Sequence, residues 1–285
     1  NTTYYFRMVK SSGLSLDNYT RYPTITVNTA GITVSGVIRQ TNESSAFDCS
    51  AANLTVRLRV NGAGTYSASC TQNTGAYSVT GVTGVTTGNV LTLWVDNAAG
   101  GQKASLVTRA ADGGSAISAD LYLDRIVLRH EDAGPLTSAN LGVCDDTSGA
   151  GCADIDLGFD EAAGALTISG NRELHIVAGK TFAPGGAITT AGSWHNLGTF
   201  TAGTNLVTFN GSGKRTLSGT LNGSSAFYKV LFNRSAITWG GAPVGGDGLN
   251  ASWAAATYEK AQSLAAHNGR LYAGLGSTTN DDAEV

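Results

Sequence analysis

Gly192-Ser193-Trp194-His195-Asn196-Leu197-Gly198-Thr199-Phe200-Thr201-Ala202-Gly203-Thr204-Asn205-Leu206-Val207-Thr208-Phe209-Asn210-Gly211 contains two short runs in which apolar residues alternate with threonine, and each run is closed by Gly or Asn. Alternation at period two is the mark of a half-buried strand, and glycine or asparagine at each end supplies a sharp change of direction. Strands this short, turned this often, fit a parallel β-helix. A second β-sandwich satisfies the same pattern, because little more than one such repeat is visible.

Around this stretch, strands are expected at 166–169, 173–178, 198–201, 206–210, 214–218 and 228–233, making a module over 165–239. Gly170-Asn171, Pro184-Gly185-Gly186, Gly203-Thr204 and Gly211-Ser212-Gly213 separate them, the last read as a hairpin turn. Residues 30–130 read as a complete β-sandwich with strands at 32–39, 54–60, 65–70, 77–82, 90–95, 104–109 and 121–130. Within it Leu54-Thr55-Val56-Arg57-Leu58-Arg59-Val60 alternates strictly, and Asn61-Gly62 and Asp112-Gly113-Gly114 supply turns at sandwich-like spacing.

A boundary is expected near Glu131, followed by an acidic, Gly-rich connector over 131–164. Residues 1–29 read as two strands, 3–9 and 19–27, and a lone hairpin needs a partner sheet to be stable. The last segment, 240–285, reads as a glycine-rich linker, a short helix over 252–266 and a terminal strand at 269–276 without a neighbour. The helix rests on the near-helical spacing of Trp253, Tyr258, Ala261 and Leu264. The fold class expected is all-β: a terminal β-hairpin, a β-sandwich, then a β-solenoid-like or second sandwich module.

Composition agrees. Charged residues are only 14% of the chain while glycine numbers 38 and proline 4, which favours turns and strands over helix. A net charge of −3 with no basic block gives a nucleic-acid backbone nothing to hold. No apolar run reaches the ~20 residues that span a bilayer, so no membrane insertion is expected in this segment. The opening Asn1-Thr2-Thr3-Tyr4-Tyr5 already has a strand pattern, and the start is read as a processed end or a cut within a longer polypeptide.

Four cysteines form two local pairs, Cys49 with Cys70 and Cys144 with Cys152. Neither pair has C-x-x-C spacing, so two disulfides made in an oxidising compartment are expected, the alternative being four buried thiols. The first bridge would tether residues 40–52, an insertion, to the strand at 65–70. Asn-x-Ser/Thr sequons at Asn1, Asn18, Asn42, Asn53, Asn210, Asn222, Asn233 and Asn250 agree with an exported glycoprotein, although the motif is weak in a Ser/Thr-rich chain.

Three resemblances accompany these patterns. Asn1-Thr2-Thr3-Tyr4-Tyr5-Phe6-Arg7 resembles the penultimate strand of a fibronectin type III or similar immunoglobulin-like domain. Ile32-Thr33-Val34-Ser35-Gly36-Val37 and Gly75-Ala76-Tyr77-Ser78-Val79-Thr80-Gly81-Val82 resemble carboxypeptidase-regulatory-like and collagen-adhesin B-type modules, which implies a non-catalytic spacer in an extracellular stalk. Residues 192–211 resemble the aromatic–Asn–x–Gly–Thr–Phe repeats of large bacterial surface and adhesin-like proteins.

Catalytic signatures are sparse. Ser212 lies between glycines, but no base stands near it in sequence. His130 and His175 lie within alternating strands and read as packed or surface residues; His195 and His267 precede turns, and no pair has the spacing of metal ligands. Glu131 and Asp132 are adjacent and do not face each other as a glycosidase pair would. The run Asp145, Asp146, Asp154, Asp156, Asp160 and Glu161 offers hard oxygen ligands, and Asp145, Asp146, Asp154 and Asp156 are the candidates for calcium, a solvated acidic loop being the alternative. No other cofactor is expected. Trp94, Trp194, Trp239 and Trp253 read as core rather than as a sugar-stacking platform.

The expected function is therefore structural and non-enzymatic: a component of an extracellular filament, stalk or surface layer at the cell surface. Its partners would be identical subunits joined head-to-tail by β-strand addition, or neighbouring modules of the same chain. An adhesin binding surface glycans is the alternative, and a polysaccharide-degrading β-helix enzyme a distant third.

Overall fold

The structure, a computed structural model, describes residues 2–5, 24–27, 31–50, 54–96, 101–147, 152–233, 258–267 and 270–277. The chain is all-β. Strands β1 (Thr2–Tyr5) and β2 (Thr24–Val27) pair antiparallel as a two-stranded sheet.

The sandwich follows from β3 (Ile32–Arg39), β4 (Thr55–Val60), β5 (Ala63–Ser69), β6 (Ala76–Val82), β7 (Val90–Asp96), β8 (Ala104–Arg109), β9 (Ile117–Ser118) and β10 (Leu121–Tyr122). A small sheet in the order β10-β3-β6, with β9 also on β3, covers one face of a sheet containing β5-β4-β7-β8. Val34, Ile38, Val56, Leu58, Val79, Leu93 and Leu106 fill the space between them. The strict alternation of residues 54–60 places Val56, Leu58 and Val60 in this core and leaves Arg57 and Arg59 on the other face.

Beyond Tyr122 the chain winds as a parallel β-solenoid, one of the two forms the repeat pattern allowed. The first coil holds β11 (Arg125–Leu128), a bridge at Leu136, a capped turn of helix α1 (Ser138–Leu141), β12 (Phe159–Ala162) and β13 (Ala165–Ile168). The second holds β14 (Glu173–Ile176), β15 (Thr181–Phe182) and β16 (Ile188–Thr190), and the third β17 (Trp194–Asn196), β18 (Thr199–Phe200) and β19 (Leu206–Phe209). The fourth holds β20 (Leu217–Gly219), a 3-10 turn at Gly223–Ser225 and β21 (Lys229–Phe232). Strands stack in parallel register on three faces: β11-β14-β17-β20, Leu136 with β15-β18, and β13-β16-β19-β21.

The interior is aromatic. Trp194, Phe200 and Phe227 meet at ring-centroid distances of 4.8–5.6 Å, and Phe209 stacks on Phe232 at 5.4 Å. The repeat motif now has a geometry: Trp194, Asn196 and Phe200 point inward, and Gly198 sits where a side chain would strike the backbone carbonyls of Val177 and Lys180. Asn196 Nδ2 donates to the Thr220 carbonyl at 2.7 Å and its Oδ1 accepts from Gly198 N, tying the third coil to the fourth.

Two expectations about organisation need correction. The boundary near Glu131 does not separate two bodies: one eight-stranded sheet, β20-β17-β14-β11-β8-β7-β4-β5, runs from the solenoid into the sandwich. Its two faces serve different cores, so Val90, Trp94 and Val107 of the sandwich strands pack inside the solenoid with Leu174 and Trp194. The described residues of 131–164 are accordingly part of the first coil and the loop inserted in it. Gly211-Ser212-Gly213 likewise turns between coils, since β19 and β20 pair with different sheets.

The segment after residue 234 forms its own unit. There β22 (Tyr258–His267) pairs antiparallel with β23 (Arg270–Ser277), so the described part of the expected helix, from residue 258, is a strand and the terminal strand has a neighbour. The register shifts between Tyr258 and Lys260 and between Ala261 and Ser263. Each irregularity inserts a residue into the alternation, and an interrupted period of two imitates the three-residue spacing of a helix.

Candidate functional site

A row of residues crosses the shared sheet by register: Leu93, Leu106, Val127, His175, His195 and Ser218. The first three lie in the sandwich core. His175 and His195 continue the row onto the solenoid coils, where Tyr122 and Glu43 approach them from the sandwich. The His175 ring stacks on Tyr122 and meets His195 edge-on, with centroids 4.7 Å apart in the second case. Glu43, at a positive φ of 66°, belongs to the loop that the Cys49–Cys70 disulfide tethers to the end of β5.

Carboxylates and imidazoles converge here. His195 Nδ1 lies 3.8 Å from Glu43 Oε1 and 3.7 Å from Glu173 Oε1, and His175 Nδ1 lies 3.8 Å from Glu173 Oε1. These separations exceed a hydrogen bond. Arg125 bridges the carboxylates, reaching Glu43 at 2.6 Å and Glu173 at 2.9 Å, while its guanidinium rests over Tyr122. His175 is 6% exposed, and its Nδ1 has no hydrogen-bond partner. Burial, and then repulsion from His175, lowers the His195 pKa. Burial works against ionisation of Glu43, but the hydrogen bond and charge of Arg125 and the two imidazoles outweigh it, so the carboxyl titrates below its ordinary value.

The sequence reading missed this cluster, because His175 and His195 are not at metal-ligand spacing along a single strand. The relevant distance is one coil, and after the first coil, which takes 48 residues (Arg125 to Glu173), coils return after 18 residues (Thr181 to Thr199) to 23 (Val207 to Val230).

The aspartates expected to form one calcium site divide between two places. Asp145 and Asp146 accept backbone N–H groups from Thr147 and Glu161, and from Gly158, within the inserted loop. Burial raises the Asp146 pKa despite the Gly158 and Ser169 hydrogen bonds. Asp154 and Asp156 instead meet Asp96, which the sequence reading did not select. Arg57 pairs with Asp96, Lys103 pairs with Asp156, and Trp94 Nε1 donates to Asp154 at 2.9 Å, so these carboxylates already face cations and donors.

The other candidates are structural by position. His130 is buried; its Nε2 accepts from Thr181 N at 2.9 Å, leaving Nδ1 to donate to the Asp132 carbonyl. Asp132 pairs with Arg109. Burial pushes Glu131 toward the neutral acid, but Arg129 and Lys180 outweigh this and hold its pKa below the ordinary value. Trp94 and Trp194 are 1% and 0% exposed. Both disulfides are present, with Cα–Cα distances of 6.0 Å for Cys49–Cys70 and 5.1 Å for Cys144–Cys152. Asn42, Asn210, Asn222 and Asn233 are exposed. Asn1, Asn18, Asn53, Asn250, Trp239 and Trp253, and the His267 side chain, lie outside the described residues.

No family model matches the chain, and neither a curated protein nor a solved structure matches it.

Proposed function

We propose that this chain is a structural, non-catalytic element of an extracellular filament, stalk or surface layer, joined to identical subunits or neighbouring modules by β-strand addition. The carrying observation is that β1–β2 and β22–β23 are each two-stranded, with no third strand among the described residues. Each therefore offers backbone N–H and C=O groups along its edges, the template on which another strand adds. A head-to-tail contact of this kind propagates instead of closing. Two disulfides support an oxidising compartment, and Asn42, Asn210, Asn222 and Asn233 are exposed acceptors for glycans there. The glycan-binding alternative loses support from Trp94 and Trp194, whose buried rings offer no stacking face.

Deleting residues 1–28 tests the reading. Strands β1 and β2 pair only with each other among the described residues, so the remaining sheets should stay folded by circular dichroism. By negative-stain microscopy the full chain should form fibres and the truncated chain should form none. A truncated protein forming fibres of unchanged repeat would remove the amino-terminal hairpin as the linking element.

A further inference from the structure

We infer that Glu43, Glu173, His175 and His195 bind one divalent transition-metal ion of the zinc class, which staples the sandwich loop to the second and third solenoid coils. A carboxylate oxygen of Glu43 and one ring nitrogen each of His175 and His195 lie within 4.8 Å of one another, and Glu173 Oε1 faces both rings at 3.7–3.8 Å. Ligands about 2.0–2.2 Å from a tetrahedral ion stand roughly 3.4 Å apart, so the pairs at 3.7–3.8 Å need to close by only a few tenths of an ångström.

Burial supplies the second argument. His175 Nδ1 is buried without a hydrogen bond, although groups of this kind are ordinarily satisfied. Charge supplies a third. Two carboxylates face the single cation Arg125, leaving one negative charge beside two ring nitrogens. A metal ion satisfies the nitrogens and the charge together.

The donor set selects the metal. Two imidazoles with two carboxylates suit zinc or its cobalt and nickel analogues better than calcium or magnesium, which take oxygen ligands. Arg125 holds both carboxylates in place, as the partners of metal ligands commonly do. The ligands come from three separate segments, and a slip of one coil would part His175 from His195.

The test uses the full chain, purified without a histidine tag, stripped with EDTA and titrated with cobalt(II), then zinc(II). Equilibrium dialysis with elemental analysis should give one ion per chain, and zinc should displace the visible absorption of bound cobalt. Glu43→Gln and His195→Gln should each weaken cobalt binding at least tenfold; Glu43 sits on an exposed loop, so that variant tests the ligand without threatening the core. Asp96→Asn with Asp154→Asn should leave binding unchanged. The inference fails if folded Glu43→Gln and His195→Gln proteins bind cobalt as the parent does, if the aspartate variant alone loses the ion, or if the parent binds none.

Discussion

Gly192 occupies the corner between the second and third coils, and a β-carbon there would overlap the carbonyl oxygen of Arg172 on the corner before it. Stacked coils leave no room for even one extra atom when backbone lies directly on backbone. Gly192→Ala should therefore destabilise the protein by about 1–3 kcal/mol, the usual cost of overpacking. Gly179→Ala is the comparison, because a β-carbon there meets nothing within 4 Å and the only strain is its positive φ of 71°. Chemical denaturation of both variants should show the larger loss at Gly192, and equal losses would mean that coil spacing is not what excludes the side chain. Legibility at this scale was uneven. The cysteine pairs were readable because each bridge closes a short stretch of chain. The His175–His195 contact was not, since it depends on how many residues make one coil, and that number appears only when the coils are wound.

The loop over residues 40–50 is the element on which the sandwich and the coils converge. It carries Cys49, bridged to Cys70, and Glu43, which reaches Arg125. A bridge spanning 21 residues removes loop freedom from the unfolded chain worth about 3 kcal/mol. Replacing both cysteines by serine should lower stability by about that amount, measured as a shifted urea midpoint. It should also speed hydrogen exchange at Phe47 N–H, which donates to the Ile38 carbonyl at 2.8 Å. An unchanged midpoint would show that the unfolded chain is already constrained without the bridge. Strands were legible wherever apolar and polar residues alternate cleanly, as in 54–60. They were misread at 258–267, where the shifts of register disguise the period.

At the scale of the whole molecule, the shared eight-stranded sheet ties the sandwich to the solenoid. Trp94 comes from a sandwich strand and Trp194 from the third coil, and both are buried in one cluster. Tryptophan fluorescence and far-ultraviolet circular dichroism should therefore report a single coincident unfolding transition for residues 31–233. Expressed alone, residues 30–130 should aggregate or unfold, because Val90, Trp94 and Val107 would face water. Two separated transitions, or a stable isolated fragment, would show that the cores are independent. The expected boundary at 131 failed for a specific reason: residues 131–164 look like a linker by composition, while the pairing of β8 with β11 and of β11 with β14 is long-range and leaves no local mark.

The coil stack has a further consequence for how such a protein changes length over generations. Strands on each face are about 4.8 Å apart, so copying one stretch of about 20 residues would lengthen the stack by that single step. The copied coil would bring its own inward aromatic, corner asparagine and close-fitting glycine, as residues 194–200 do, and would meet the same residues above and below. The sandwich end would remain untouched by such an insertion. The molecule is in this sense a ruler whose unit is already written, and its reach is open to adjustment by gene duplication without redesign of either core.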